Sequence, residues 1–308
     1  MIDRAARAGL APPGCKKNLL ADLTAMIHQT ILKPGLLADH LKDPDWVVFD
    51  CRFELGDSDA GRRAWTKGHI PGARYAHLEH HLSGPKGNQT GRHPLPVLLD
   101  FIQWLESQGV DNHTQVVAYD DQGGAFAARL WWLLRFMGHK AAAVLDGGYT
   151  HWLAEGLPVS TFSPKPEAKR FSPSLQSFML VTDRQAEACL GDPAILFVDA
   201  RAPERFRGEV EPIDPVAGHI PGAVNLPHPQ NLDAEGRFLY PHLLKARFEQ
   251  KLNGLSPEQV IHYCGSGVTA ATNAVAMAAG GLPLGRLYVG SWSQWCSKPG
   301  RATAQGPE

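Results

Sequence analysis

Gly68-His69-Ile70-Pro71-Gly72-Ala73 recurs without change as Gly218-His219-Ile220-Pro221-Gly222-Ala223. The correspondence extends outward from this pair. Upstream, Trp46-Val47-Val48-Phe49-Asp50-Cys51-Arg52 matches Ile195-Leu196-Phe197-Val198-Asp199-Ala200-Arg201. Downstream, Gln115-Val116-Val117-Ala118-Tyr119-Asp120 matches Gln259-Val260-Ile261-His262-Tyr263-Cys264. Further on, Gly147-Gly148-Tyr149-Thr150-His151-Trp152 matches Gly290-Ser291-Trp292-Ser293-Gln294-Trp295. Order is kept, and the offsets stay between 143 and 150 residues. A period this long exceeds any solenoid unit, so the 308-residue chain reads as two domains in tandem.

Composition and punctuation set the boundaries. Residues 1–25 read as a loose N-terminal tail without the apolar core of a secretory signal, and Met26 is an alternative start. The first domain is expected over 26–157 and the second over 175–299, with a C-terminal tail at 300–308. Between the domains, 158–174 carries Pro158, Pro164, Pro166 and Pro173, which block helix and ladder pairing and mark a linker. Lys plus Arg number 30 against 31 Asp plus Glu, so no net charge calls for nucleic acid or an anionic membrane. No apolar run approaches the roughly 20 residues of a membrane helix. The five cysteines are odd in number and contain no C-x-x-C pair, which argues against a disulfide framework or structural zinc. A reducing cytoplasm is the expectation, with no metal or cofactor.

Within each unit, apolar runs at 46–50, 116–119, 195–198 and 260–263 alternate with helical patterns. Continuous apolar runs are strands buried on both faces, so each domain is α/β, a mainly parallel sheet flanked by helices. After Cys264, the alanine-rich stretch Val268 to Ala279 reads as a helix stopped by Gly280-Gly281 and Pro283. Cys264 therefore sits at the carboxyl end of a strand, where such sheets place their active sites.

The segment Cys264-Gly265-Ser266-Gly267-Val268-Thr269 lies between that strand and that helix. Its glycines let the backbone curl so that successive N–H groups point inward, and the helix adds the positive end of its dipole. A thiol in such a cradle is held as thiolate, and the same amides can hold a second sulfur bound to it. A free cysteine is more often a small packed residue, but packing alone does not require the two glycines Gly265 and Gly267 beside it. Cys51, Cys189 and Cys296 lack the cradle, and Cys15 lies in the tail.

The paired Asp-x-Arg, the paired Gly-His-Ile-Pro-Gly-Ala, the Cys-Gly-Ser-Gly-Val-Thr loop and the Gly-Ser-Trp segment resemble the tandem rhodanese-domain sulfurtransferases from about Leu36 to Trp295. The resemblance implies two tandem rhodanese-like domains, the first catalytically silent because Asp120 replaces the cysteine. It implies a two-step exchange, in which Cys264 takes a sulfane sulfur as a persulfide and passes it to a thiophilic acceptor such as cyanide or a thiol. A thioredoxin-like reductant is a further candidate acceptor. The loop has the form found in 3-mercaptopyruvate sulfurtransferases; thiosulfate enzymes typically carry basic residues directly after the cysteine. It assigns Ser266 to the catalytic pair, as donor to a departing enolate, and Gly265, Gly267, Val268 and Thr269 to the binding loop. Arg205 is the implied carboxylate-binding residue, and Arg201 reads as structural.

The chain departs from the mercaptopyruvate pattern at Ile213, where a second arginine is usual, so Arg207 is a candidate replacement. His69, with Asp59 behind it, is a candidate partner for the loop serine, although its recurrence as His219 argues for a structural role. A phosphatase, which shares this architecture, needs an arginine closing a Cys-x5-Arg loop; Thr269 is followed by Ala270 instead. A non-catalytic module that only relays persulfide to a protein is the other rival.

Overall fold

The computed structural model describes residues 27–87 and 89–307. The expected tail at 1–25 and the alternative start at Met26 lie outside them. Two five-stranded parallel sheets form the frame. The first contains β1 (Ile31–Leu32), β2 (Trp46–Asp50), β3 (Arg74–Tyr75), β4 (Gln115–Tyr119) and β5 (Ala142–Leu145), in the order β1-β5-β4-β2-β3. The second contains β6 (Leu180–Val181), β7 (Leu196–Asp199), β8 (Val224–Asn225), β9 (Val260–Tyr263) and β10 (Arg286–Tyr288), in the order β6-β10-β9-β7-β8. The two orders are the same permutation, as the internal repeat requires. The four apolar runs became β2, β4, β7 and β9.

The repeated motifs are explained by what they bond. In the first domain the Arg52 guanidinium grips the Asp50 carboxylate at the end of β2 and donates to Gly68 O at 2.7 Å. The Tyr119 hydroxyl donates to the same carboxylate and accepts from the Ile70 N–H. In the second domain Arg201 grips Asp199 and donates to Gly218 O at 2.6 Å, and the Tyr263 hydroxyl accepts from the Ile220 N–H. Arg52 lies over the Tyr149 ring and Arg201 over the Trp292 ring. Each copy thus uses one buried ion pair to tie two strand ends to its Gly-His-Ile-Pro-Gly turn, and packing on an aromatic face completes the tie.

The halves meet along the helices Ala127–Phe136 and Ala270–Ala279, which pack against each other. Small alanine side chains on the second let the bulkier Trp132 and Phe136 side of the first share one apolar core with it. The stretch 158–174 holds no helix or strand, yet it is fastened to the first domain. Ser160 bridges to His69, Lys169 N donates to Glu106 O, Ser174 N donates to Met137 O, and Phe171 is buried. The C-terminal segment is tied likewise, by a bridge from Ala304 to His219. Among the described residues no helix is long and apolar enough to cross a membrane.

Candidate active site

β9 ends at Tyr263, and Cys264 opens a six-residue loop before the helix Ala270–Ala279. The helix starts two residues later than the alanine pattern predicts, because Gly267 turns the chain with φ +72. A Cβ there would stand 2.3 Å from Val289 O, so only glycine fits. From the β10 side, the Cys264 N–H donates to Ser291 Oγ at 3.1 Å, and the Trp292 and Ser293 N–H groups donate to Cys264 O and Gly265 O. Ser291 has φ 51, a conformation that costs a non-glycine residue roughly 1–2 kcal/mol. In the first domain the matching residue is Gly148. The strained serine therefore holds the loop that carries the thiol.

The first domain shows what such a loop does to an anion. Asp120 is fully buried, and its carboxylate accepts the N–H groups of Gln122, Gly124, Phe126 and Ala127 at 2.8–2.9 Å. Burial pushes its pKa up, and these four bonds oppose the shift. In register, the positions that correspond to these four donors beside Cys264 are Ser266, Val268, Ala270 and Ala271, and the Ala271 N–H donates to Val268 O. The other buried thiols are different. Burial, with Asp120 and Asp50 nearby, pushes Cys51 well up; burial and Asp214 push Cys296 to about 11. Both stay protonated at neutral pH.

Cys264 lies on a cleft of about 480 Å³ whose walls come from both domains. Gly265, Ser266, Val268, Thr269 and Arg205 line it, as do Arg92 and Phe126 from the silent half. Gly267 does not line the cleft; it bends the loop. The Arg205 side chain donates to Glu211 at 2.6 Å and Asp214 at 3.3 Å. Arg92 pairs with the other oxygen of Asp214. Burial works against Glu211, but Arg205 and two backbone N–H groups hold its carboxyl below the usual range; at Asp214 burial prevails and the pKa rises. A Cβ on Gly265 would fall 2.7 Å from Arg92 Nη2, so the glycine makes room for this guanidinium. Arg201 is spent on Asp199 and Glu211.

Two expectations are corrected here. Arg207 does not replace the missing clamp: it pairs with exposed Glu209 and lines a different cleft with Arg247. The second arginine near the thiol is Arg92, which lies on the other domain and outside every repeated motif. His69 does not meet the loop serine either. Its ring nitrogens bond Trp65 O and Phe162 O, and it stacks on Trp65, as His219 stacks on Phe206. Asp59 stands exposed at the start of a neighbouring helix. The histidine at Ser266 is His93, Nδ1 to Oγ 2.8 Å, with Glu79 Oε1 3.9 Å from its Nε2. A pointer to it was present in Arg92-His93, a polar pair in a Gly/Pro-rich loop, but nothing in the repeat marked it.

Burial pushes His93 down to about 3, with Arg129 adding to the shift, so the ring is neutral at every working pH. The expected outcome is that donor turnover shows no limb near the ordinary histidine value of 6.5. A limb there that disappears in His93→Gln would show instead that this ring titrates.

A family model described as Rhodanese-like domain matches residues 33–155 and again 182–298. A "Probable 3-mercaptopyruvate sulfurtransferase" of Pseudomonas aeruginosa is 46% identical over 283 residues, spanning 91% of this chain and 100% of that protein. The thiosulfate sulfurtransferase of Bos taurus is 32% identical over 283 residues, spanning 88% and 94%. A solved 3-mercaptopyruvate sulfurtransferase from Leishmania major superposes with a TM-score of 0.76 at 31% identity, covering 86% of this chain and 73% of that one.

Proposed function

This chain belongs to the rhodanese-like family, its domain present twice, and from that premise we propose that it is a sulfurtransferase moving a sulfane sulfur from 3-mercaptopyruvate to a thiophilic acceptor through a Cys264 persulfide. The observation that carries the reading is that Cys264, at the end of β9, lines one cleft with Arg205 and Arg92, both guanidinium groups lying close to Gly265. In this reading the catalytic domain is 175–299 and the silent one 26–157.

The chemistry follows from the groups in place. The Cys264 thiolate attacks the donor sulfur; the S–S bond forms, the C–S bond breaks, and its electron pair leaves as pyruvate enolate. Ser266 Oγ lines the same cleft as the thiol; it gives its hydrogen bond, then a proton, to that enolate and takes back the proton that the donor's S–H releases as the persulfide anion forms, while His93 orients it from behind. The guanidinium groups of Arg205 and Arg92, held in place by Glu211 and Asp214, take the donor carboxylate. The persulfide anion then rests on the loop amides until an acceptor removes its outer sulfur. Cyanide leaves as thiocyanate; a thiol, including that of a thioredoxin-like reductant, leaves as its own persulfide. A reducing cytoplasmic setting belongs to the same reading and is supported by Cys51, Cys189, Cys264 and Cys296 all being free.

Thiosulfate is the second donor to consider, since the two arginines would serve a sulfonate as well as a carboxylate. Against it stand Gly265 and Ser266, which bring no positive charge next to the sulfur. Turnover with 3-mercaptopyruvate is expected to exceed turnover with thiosulfate, cyanide being the acceptor in both. A clear preference for thiosulfate would reverse the donor assignment. Arg205→Ala is expected to raise KM for 3-mercaptopyruvate roughly 10- to 100-fold, the worth of a charge-assisted fork, with Arg205→Lys in between. An unchanged KM would take Arg205 out of donor binding.

A further inference from the structure

Arg129 is a fully buried cation for which the chemistry above has no use. It lies on the silent domain's helix Ala127–Phe136, and its guanidinium crosses to the other half. Nη1 donates to Gly267 O at 2.9 Å, within the thiol loop. Nε donates to Leu82 O, and Nη2 to His93 O and Pro94 O, all at 3.2 Å. Every one of these acceptors is a backbone carbonyl. A guanidinium taken wholly out of water normally has an anionic partner, because the desolvation penalty is several kcal/mol per ion. Burial pushes Arg129 down to about 10, and the charge of Cys264 is what draws it back up.

The repeat adds a second argument. In the register that pairs Asp120 with Cys264, Arg129 pairs with Asn273. Asn273 is neutral and bonds Asn231 and Leu226 O within its own domain. The charge is therefore present on one copy alone, and it faces the copy that keeps the thiol.

We propose that Arg129 is a positioning residue supplied by the silent domain: it is the counter-charge of the Cys264 thiolate and persulfide anion, and its bond to Gly267 O keeps the loop carbonyl turned away so that the amides face the sulfur. The proposal rests on Cys264 acting as a thiolate, as argued above. The other charged or titratable groups around the thiol are Glu54, His228, Arg201 and the Arg92–Asp214–Arg205–Glu211 chain on the cleft walls, and His93 behind Ser266. His228 and His93, pushed by burial to about 4 and about 3, carry no proton above pH 5 or so.

The test is the rate of Cys264 alkylation by iodoacetamide against pH in the full-length wild type, Arg129→Lys and Arg129→Gln, followed on the Cys264 peptide by mass spectrometry. The Gln variant is expected to react about tenfold more slowly at neutral pH, with its profile displaced to higher pH, while Lys, which keeps the charge, stays near wild type. The same loss in kcat, with KM for the donor little changed, should accompany it. Coincident wild-type and Gln profiles would overturn the proposal, and so would equal displacement of Lys and Gln, which would reduce Arg129 to a hydrogen-bonding strut. Should the Gln variant fail to fold, urea unfolding of wild type and Cys264→Ser reads whether the folded state favours the thiolate that Arg129 is proposed to balance. A thiolate favoured in the folded state adds stability as pH rises, so the wild type should gain on the serine variant toward alkaline pH. Parallel pH dependence would sink the idea. Alkylation needs no donor, so a wild type inert to both donors would refute the function proposed above and leave this test standing.

Discussion

Cys264→Ser is expected to lower turnover with either donor by at least about four orders of magnitude, since the hydroxyl neither ionises nor accepts sulfur. The variant should fold normally. The hydrogen bonds that fix position 264 run through its backbone, N–H to Ser291 Oγ and carbonyl to the Trp292 N–H, and serine keeps both. Donor treatment of the wild type should add the mass of one sulfur atom to the peptide containing Cys264 and to none containing Cys51, Cys189 or Cys296. Buried Cys51 and Cys296 are held as thiols, and Cys189 lies on a separate cleft. A serine variant that keeps a few per cent of the activity, or a mass gain on another cysteine, would remove Cys264 from the mechanism. The same variant decides the phosphatase alternative. With Ala270 where that chemistry needs arginine, an aryl phosphate should not be turned over; turnover that depends on Cys264 would overturn sulfur transfer.

The second large effect concerns stability. Asp120→Ala should cost at least about 3 kcal/mol, because it strips the acceptor from four N–H groups in a dry loop and each orphan costs about 1–3 kcal/mol. Asp120→Asn does not rescue it fully. One of its two terminal groups becomes an NH2 and must face a pair of N–H donors, since each carboxylate oxygen accepts two. Urea unfolding measures both, and the expected order is wild type, Asn, Ala. Wild-type stability in the alanine variant would mean that the loop finds other acceptors and that the carboxylate is not what closes it.

The fold was legible because the chain states it twice. Any one of β2, β4, β7 or β9 would be ambiguous as a short apolar run. Aligned in pairs, with Asp-x-Arg at one end and Gly-His-Ile-Pro-Gly following, they read as the inner strands of two parallel sheets. The position of Cys264 was legible for a local reason: strand, glycine turn and helix are contiguous in the chain. What the sequence did not reveal is what crosses between the copies. Arg92, His93 and Arg129 come to the thiol from about 135 to 172 positions away and belong to no repeated motif. His69 drew attention because its motif repeats, and that repetition reflects a shared structural bond to Trp65 O and, at His219, to Phe206 O. Arg207 was a neighbour in sequence whose helix turns it to another face.

Tandem duplications are ordinarily reversible, since recombination between the copies restores the single gene. Here neither copy is spare: the first holds a carboxylate where the second holds the thiol, and it lends the second an arginine on the cleft wall, a histidine behind the serine and a buried cation under the loop. A chain cut down to the second sheet would keep Cys264 without Arg92, His93 and Arg129. The surroundings of the thiol are divided between the two halves, and neither half holds all of them.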